Sequence, residues 1–412
     1  MAVKSILSLV LLSTCATAYP FALDADIEAR QATPPQGAGA LPLTPPPFDA
    51  DLQRVSNSGA NRFIAPGRND ARGPCPGLNA LANHAYLPRN GVATIPQFQY
   101  ATNKVFGMAP DLAASLAVYG AVVDGTLTQW SVAGVPHVGI GGSHGNYEAD
   151  SSPLRADLRQ YGSNTRLIIS QYLNLYNRQP NAATANYNLE VLRDFRIHRF
   201  NESIAKNPVF FYGPFAGNIV TQAAFTFIYR FMSNKSAEAP EGILNQNVLR
   251  SFMSIQQQGD RQVWVPGNER IPDNWYKRHP SAEYSIPYFA LDIAYIAEQD
   301  PRIVLLGCNQ GKVNTYNAIS PELLTSGAYT TAEIIKNPVC FSTQFLAAFL
   351  PAATGLSATA LAPLNTLLTS ATGALGGCPA IPNANLSAFS FCPGATAYGG
   401  PTAPVFPGSI QN

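Results

Sequence analysis

Residues 72–91 read Arg72-Gly-Pro-Cys-Pro-Gly-Leu-Asn-Ala-Leu-Ala-Asn-His-Ala-Tyr-Leu-Pro-Arg-Asn-Gly91, with Cys75 set between Pro74 and Pro76. Proline is well tolerated as the first helical residue, because its missing N–H would have had no partner there. Pro76 therefore predicts a helix that starts directly after Cys75 and puts that cysteine at the N-cap. The free N–H groups of a first helical turn point at the capping residue, and the positive end of the helix dipole favours thiolate over thiol. A sulfur so placed is acidic and oriented, fit to ligate a metal or attack an electrophile. In an oxidising compartment its ordinary alternative is to be half of a disulfide. No second Cys or His stands at zinc-ligand spacing from Cys75, which argues against a zinc site.

The same stretch closely resembles the proximal motif of the chloroperoxidase and peroxygenase superfamily of haem-thiolate peroxidases, in order and spacing over about twenty residues. The resemblance implies a mainly α, chloroperoxidase-like helical fold with long loops. It implies Cys75 as the axial ligand of haem b, with Pro76 and Asn79 beside the cofactor. A thiolate ligand pushes electron density onto iron and helps cleave the peroxide O–O bond, which is the chemical reason for a cysteine here. The partners implied are H₂O₂ and a small organic substrate. The likeness is good over roughly residues 60–235 and weak beyond them.

A second block, His144-Gly-Asn-Tyr-Glu-Ala-Asp-Ser-Ser-Pro-Leu-Arg-Ala-Asp157, is similar to the family's distal signature. Glu148, Asp150, Ser152, Arg155 and Asp157 fall on its positions. By resemblance, the Glu148 carboxylate and the carbonyls of Ala149 and Ser152 would hold Mg²⁺ beside a haem propionate, and hard oxygen ligands suit that ion. Read from the residues alone, the block is also a helix N-terminus with acids near its positive end. It contains a rival motif as well. Gly141-Gly-Ser-His-Gly145 fits the nucleophile elbow G-x-S-x-G, so Ser143 of a secreted serine hydrolase is the competing reading, although Asn-Tyr-Glu-Ala-Asp makes a poor elbow helix.

Peroxide activation needs a group that takes a proton from one oxygen and returns it to the other. Family members use a Glu assisted by an Arg, or by the His of Glu-His-Asp. Ala149 occupies that His position here. Counting from Asn207-Pro-Val-Phe210, the expected Arg falls near Phe215 and the expected Glu near Gln222, and Gln exchanges no proton as a carboxylate does. The remaining candidates for acid–base work are Glu202, His144 and His198, each histidine also readable as an ordinary structural one. Failing these, peroxide activation is slow and selective, which suits a specialised oxidation in secondary metabolism. A haem-binding glycoprotein of weak activity is the non-catalytic alternative. Tyr147 and Phe225 match positions where aromatics line the haem channel and favour flat or apolar substrates, and Phe225 equally suits plain core packing.

The 412 residues carry 46% hydrophobic and only 12% charged side chains, with 26 Lys and Arg against 25 Asp and Glu. No net field draws nucleic acid or anionic lipid. Lys4, the apolar run 6–12 and Ala16-Thr-Ala18 read as a secretory signal over 1–18, too short to span a bilayer. Sequons at Asn201, Asn234 and Asn385 agree with secretion. Of six cysteines Cys15 leaves with the signal, so one of the remaining five stays outside the disulfides. If that one is Cys75, Cys308–Cys340 with Cys378–Cys392 is the simplest of three pairings. Residues 19–55 form an Ala- and Pro-rich extension or pro-segment, 56–345 the haem-thiolate domain, and 346–412 a low-charge C-terminal extension tied by disulfides. Helical spacing is expected over residues 109–123, 154–161, 186–205, 217–232, 241–257 and 283–298, with a helix or two within 345–375. The haem would lie between the helix after Cys75 and distal helices near 148 and 215–232.

Overall fold

The computed structural model of the chain describes residues 45–397, Val135 excepted, so the expected signal and most of the pro-segment lie outside the described residues. The described part belongs to one compact unit, Leu41–Asn412. Its helices of seven residues or more are α1 (Pro76–Asn83), α2 (Ile95–Phe106), α3 (Pro110–Asp124), α4 (Ile169–Tyr176), α5 (Leu189–Lys206), α6 (Thr221–Met232), α7 (Gln246–Phe252), α8 (Ile286–Gln299), α9 (Pro338–Thr354) and α10 (Ala358–Ala374). Strands are short: Val92–Thr94 pairs with Gln129–Ser131, and Gly307–Cys308 lies between Phe211–Tyr212 and Asn317–Ala318, all antiparallel. The fold is mainly α with long connections, as expected. None of the described helices is long and apolar enough to cross a membrane.

Local chemistry sets the helix ends. Thr94 and Gln97 form a reciprocal capping box at the start of α2, and Gly107 closes it in the left-handed region. Asn188 caps α5 by accepting from the Val191 amide. Helix α10 packs on α3 and α9, and α9 begins before the 345/346 boundary drawn from composition, so that boundary falls inside a helix.

Three expectations change. The helix over 241–257 is only Gln246–Phe252, followed by an antiparallel hairpin of Ile255–Gln258 and Arg261–Trp264. Ser254 and Gly259 both take positive φ, and the two-residue Gly259-Asp260 turn matches a strand hairpin rather than a helix. Residues 144–157 form no distal helix either; only Leu158–Tyr161 is helical. The Ser151 amide donates to Asp157 and the Leu158 amide to Asp150, so the carboxylates hold an irregular loop. The disulfides are Cys308–Cys392 and Cys340–Cys378, not the adjacent pairing, because chain neighbours are not neighbours in space. Cys75 is free.

Candidate active site

Cys75 caps α1 in an extended conformation, with Pro76 as the first helical residue. The loop before it is held tightly. Gly73 donates to and accepts from the Asn79 side chain at 2.9 Å each. A Cβ on Gly73 would lie 1.5 Å from the Val132 carbonyl oxygen, so only glycine fits. Arg155 reaches in from the second sequence block and donates from Nε to the Pro74 carbonyl at 2.8 Å. Burial pushes the Cys75 thiol up, while the amides of Leu78 and Gly77 and the Arg155 guanidinium pull it down.

The sulfur faces a cavity of about 210 Å³, many times the roughly 10–15 Å³ that one water takes on the same measure. Its walls are mostly apolar: Phe98, Phe106, Leu116, Trp130, Phe227 and Phe231 contribute, drawn from α2, α3, α6 and the short strand. Tyr147 lines it too, near Trp130 at 5.8 Å between ring centroids. The Tyr147 hydroxyl donates to the Leu116 carbonyl, which fixes the ring.

Glu148 supplies the carboxylate on this wall. Its Oε2 lies 3.0 Å from His144 Nδ1, and His144 Nε2 lies 3.0 Å from Asp150 Oδ1. Burial alone would depress the His144 imidazole, but Asp150 and Glu148 hold its pKa up to about 10. His144 is therefore an imidazolium clamped between two buried acids. It adjoins the cavity through Glu148 and does not line it. Around it, Asn207 donates to both Asp150 and Asp157, and Arg199 pairs with Asp157. This ties the 207–210 stretch to the second block. Ser151 sits at φ 61, a conformation costly for a non-glycine residue and typical of functional loops.

The distal candidates are placed differently from the count along the sequence. Gln222 is fully buried outside the cavity: it accepts from Arg196 Nε at 2.8 Å and donates to Tyr212 Oη and the Ile303 carbonyl. Phe225 packs edge-on against Phe195 at 5.7 Å and under the Arg196 guanidinium, also outside the cavity. Glu202 pairs with Arg199 and Lys206 on α5, and His198 lies 3.9 Å from Glu202; neither lines the cavity. Instead α6 presents Thr221, Ala224 and Ile228, preceded by Val220.

The cause is backbone geometry. Residues Ala216–Val220 form a π-helical turn, entered through Phe215 at φ 60 and ψ −62, with the Ala216 amide donating to Pro214. A π turn holds an extra residue and rotates the helix beyond it by about 100° relative to an unbroken α-helix. Phe215 itself packs on Tyr119 at 4.2 Å. Thr221, which carries no sequence motif, is thereby turned to the cavity; its hydroxyl donates to the Ala216 carbonyl.

The residues fit a haem held by Cys75. A free thiol opens onto a mostly apolar cavity, and Arg155 Nη1, buried at the same wall, has no hydrogen-bond partner, as a donor awaiting an anionic group would. The magnesium set fits in part. Glu148 Oε1 and the Ala149 carbonyl converge on Ser152 Oγ at 3.1 and 2.8 Å, whereas the Ser152 carbonyl accepts from Arg199 Nε at 3.1 Å. Among the described residues no three His, Cys, Asp or Glu side chains are grouped to hold a metal, so carbonyls would complete any such site.

The hydrolase reading finds no support. Ser143 is buried, and His144 beside it directs both ring nitrogens at carboxylates. His84, His137, His198 and His279 bond elsewhere.

At this site a free cysteine at a helix N-terminus lines a mostly apolar cavity. The chain belongs to the family described as Peroxidase, family 2, whose profile matches residues 61–280. It is similar to the aromatic peroxidase fscJ of Fusarium equiseti, 34% identical over 84% of this chain and 85% of that protein. It is 34% identical to the dothistromin biosynthesis peroxidase dotB of Dothistroma septosporum, over 74% of this chain and 76% of the relative. An aromatic peroxygenase of Cyclocybe aegerita is 30% identical over 71% of this chain and 74% of its own length. The protein is thus a peroxidase or peroxygenase, an oxidoreductase that uses peroxide on organic substrates, and its family implies a haem-thiolate centre.

Proposed function

We propose that this chain is a secreted haem b enzyme in which Cys75 ligates the iron and H₂O₂ drives oxidation of aromatic or apolar substrates, specialised for secondary metabolism. The observation that carries the reading is Cys75: free while the other four described cysteines are bridged, and open to the apolar cavity. When bound, the haem supplies the iron that peroxide oxidises.

The chain's own groups do the rest. The Gly77 and Leu78 amides favour the thiolate. Trp130, Tyr147 and Phe227 exclude water and suit a flat substrate. Glu148 Oε1 and the Ala149 carbonyl are the donors for Mg²⁺ beside a propionate, with Arg155 Nη1 as a further anion contact. The cavity face of α6 carries no acid, so proton exchange at peroxide lacks the usual distal carboxylate. This supports slow and selective oxidation, and the biosynthetic role that names the Dothistroma relative supports a comparable setting. Secretion rests on the signal-like N-terminus, with glycans proposed at Asn201 and Asn385; both side-chain amide atoms of Asn234 are engaged with backbone of residues 274 and 276.

The test is turnover of an aromatic substrate with ¹⁸O-labelled H₂O₂. Labelled product is expected for oxygen transfer and unlabelled coupled product for one-electron oxidation. Haem-loaded protein that gives neither would be a binding glycoprotein.

A further inference from the structure

Glu269 is a buried acid that the proposed chemistry does not use. It is fully buried, and neither of its carboxylate oxygens has a partner in hydrogen-bond geometry. Arg155 Nη2 stands 3.6 Å from Oε1. The Glu269 carbonyl accepts at 2.8 Å from Asn83, at the end of the helix that Cys75 begins. Asn83 Oδ1 in turn accepts from Arg72 Nε at 2.8 Å, and Arg72 Nη2 is also buried without a partner. Arg155 holds the Pro74 carbonyl. The proximal side of Cys75 is therefore a buried charge cluster with two guanidiniums and one carboxylate.

Arg72 and Arg155 are the cations of this cluster and Glu269 is the carboxylate between them; Asp70 also acts on Arg72 and Glu148 on Arg155 from its edges. Nearby, Arg89 pairs with Asp70, and His144 lies between Glu148 and Asp150. Buried charge is tolerated when compensated, and at low dielectric each charge acts strongly on its neighbours. Arg155 favours charge on the Cys75 sulfur and Glu269 opposes it.

We propose that Glu269 is a positioning residue that sets how strongly Cys75 donates electron density to bound iron, by offsetting the field of Arg72 and Arg155. The proposal rests on the haem-thiolate reading. Adding an electron to ferric iron adds negative charge, which a more positive surrounding favours. Removing the Glu269 charge should thus raise the reduction potential, and removing the Arg72 charge should lower it.

The experiment is redox titration of haem-loaded wild type, Glu269→Gln, Glu269→Asp and Arg72→Gln, with the ferrous–CO spectrum of each. We expect the midpoint to shift up in Glu269→Gln, down in Arg72→Gln, and to stay near wild type in Glu269→Asp. Shifts of the same sign in both glutamine variants, no shift, or an equal shift in Glu269→Asp would overturn the proposal in favour of packing. Should Glu269→Gln fail to fold, Arg72→Gln alone decides: a raised or unchanged midpoint overturns it. A wild type lacking the thiolate spectrum would instead defeat the haem-thiolate reading itself.

Discussion

Arg155 donates from Nε to the carbonyl of Pro74, the residue directly before Cys75, at 2.8 Å. The two sequence blocks thus meet beside Cys75 through residues 81 apart in the chain. Arg155→Leu removes that donor and leaves Glu269 buried beside an apolar group. Breaking a buried pair by removing one partner typically costs about 3–5 kcal/mol. We expect a stability loss at the low end of that range by urea denaturation, with reduced haem content in the protein that folds.

The rotation imposed by the π turn separates two neighbouring positions. Thr221→Glu places a carboxylate on the cavity face and should raise peroxide consumption by at least about tenfold, short of the roughly 10²–10⁴-fold that a fully positioned acid–base group supplies. Gln222→Glu should leave the rate within about twofold, because Gln222 faces Arg196 and Tyr212. Stopped-flow measurement of both variants checks this. A rate gain in Gln222→Glu with none in Thr221→Glu would show that Gln222, not Thr221, faces the cavity.

Lys235 is buried, donates to Ser233 and lies near the cations Arg278 and Arg230, with Glu241 as the nearby acid. Burial, reinforced by those guanidiniums, pushes its ammonium well below the ordinary 10.5. The unfolded chain then binds more protons than the folded one in the window below 10.5, so this lysine makes stability rise with pH across it. Lys235→Met should flatten that rise and add on the order of 1 kcal/mol at neutral pH. Denaturation midpoints at pH 7 and pH 9.5 measure both effects.

The bridges Cys308–Cys392 and Cys340–Cys378 close loops of 84 and 38 residues. On chain-entropy grounds each contributes about 4 kcal/mol. Peptide mapping without reduction should recover these two pairs and a free Cys75. The double variant Cys340→Ala/Cys378→Ala should unfold at markedly lower denaturant.

Local signals carried the proximal half of the site into view. Pro76 after Cys75 favours a helix start on local grounds, and in the second block Asp157 holds its own loop through the Ser151 amide while Arg155 reaches out to Pro74. Long-range relations were hidden. Nothing near Cys308 announces that Cys392 folds back onto it. The run 241–257 reads as one helix, but the helix ends at Phe252 and the chain turns back at Gly259. The π turn after Phe215 carries no sequence signal, and the register counted from Asn207 put the expected acid position at Gln222, where the structure turns Thr221 to the cavity; Phe225 took the core-packing role that was its other reading. Glu269 carried no motif at all, and only its burial beside Arg155 marks it.

The proposed magnesium site would use Glu148 Oε1, since the other oxygen is committed to His144. Metal analysis of purified holoprotein should give about one magnesium per chain, removed by a chelator with a fall in thermal stability. Protein with no bound magnesium, and unaffected by the chelator, would make Glu148 a candidate acid–base group instead.

The most direct test is the absorption spectrum of the dithionite-reduced, CO-bound protein. Thiolate ligation by Cys75 predicts a strongly red-shifted Soret band in the wild type that is lost in Cys75→Ala. A colourless protein, or a red-shifted band that persists in Cys75→Ala, would contradict the account.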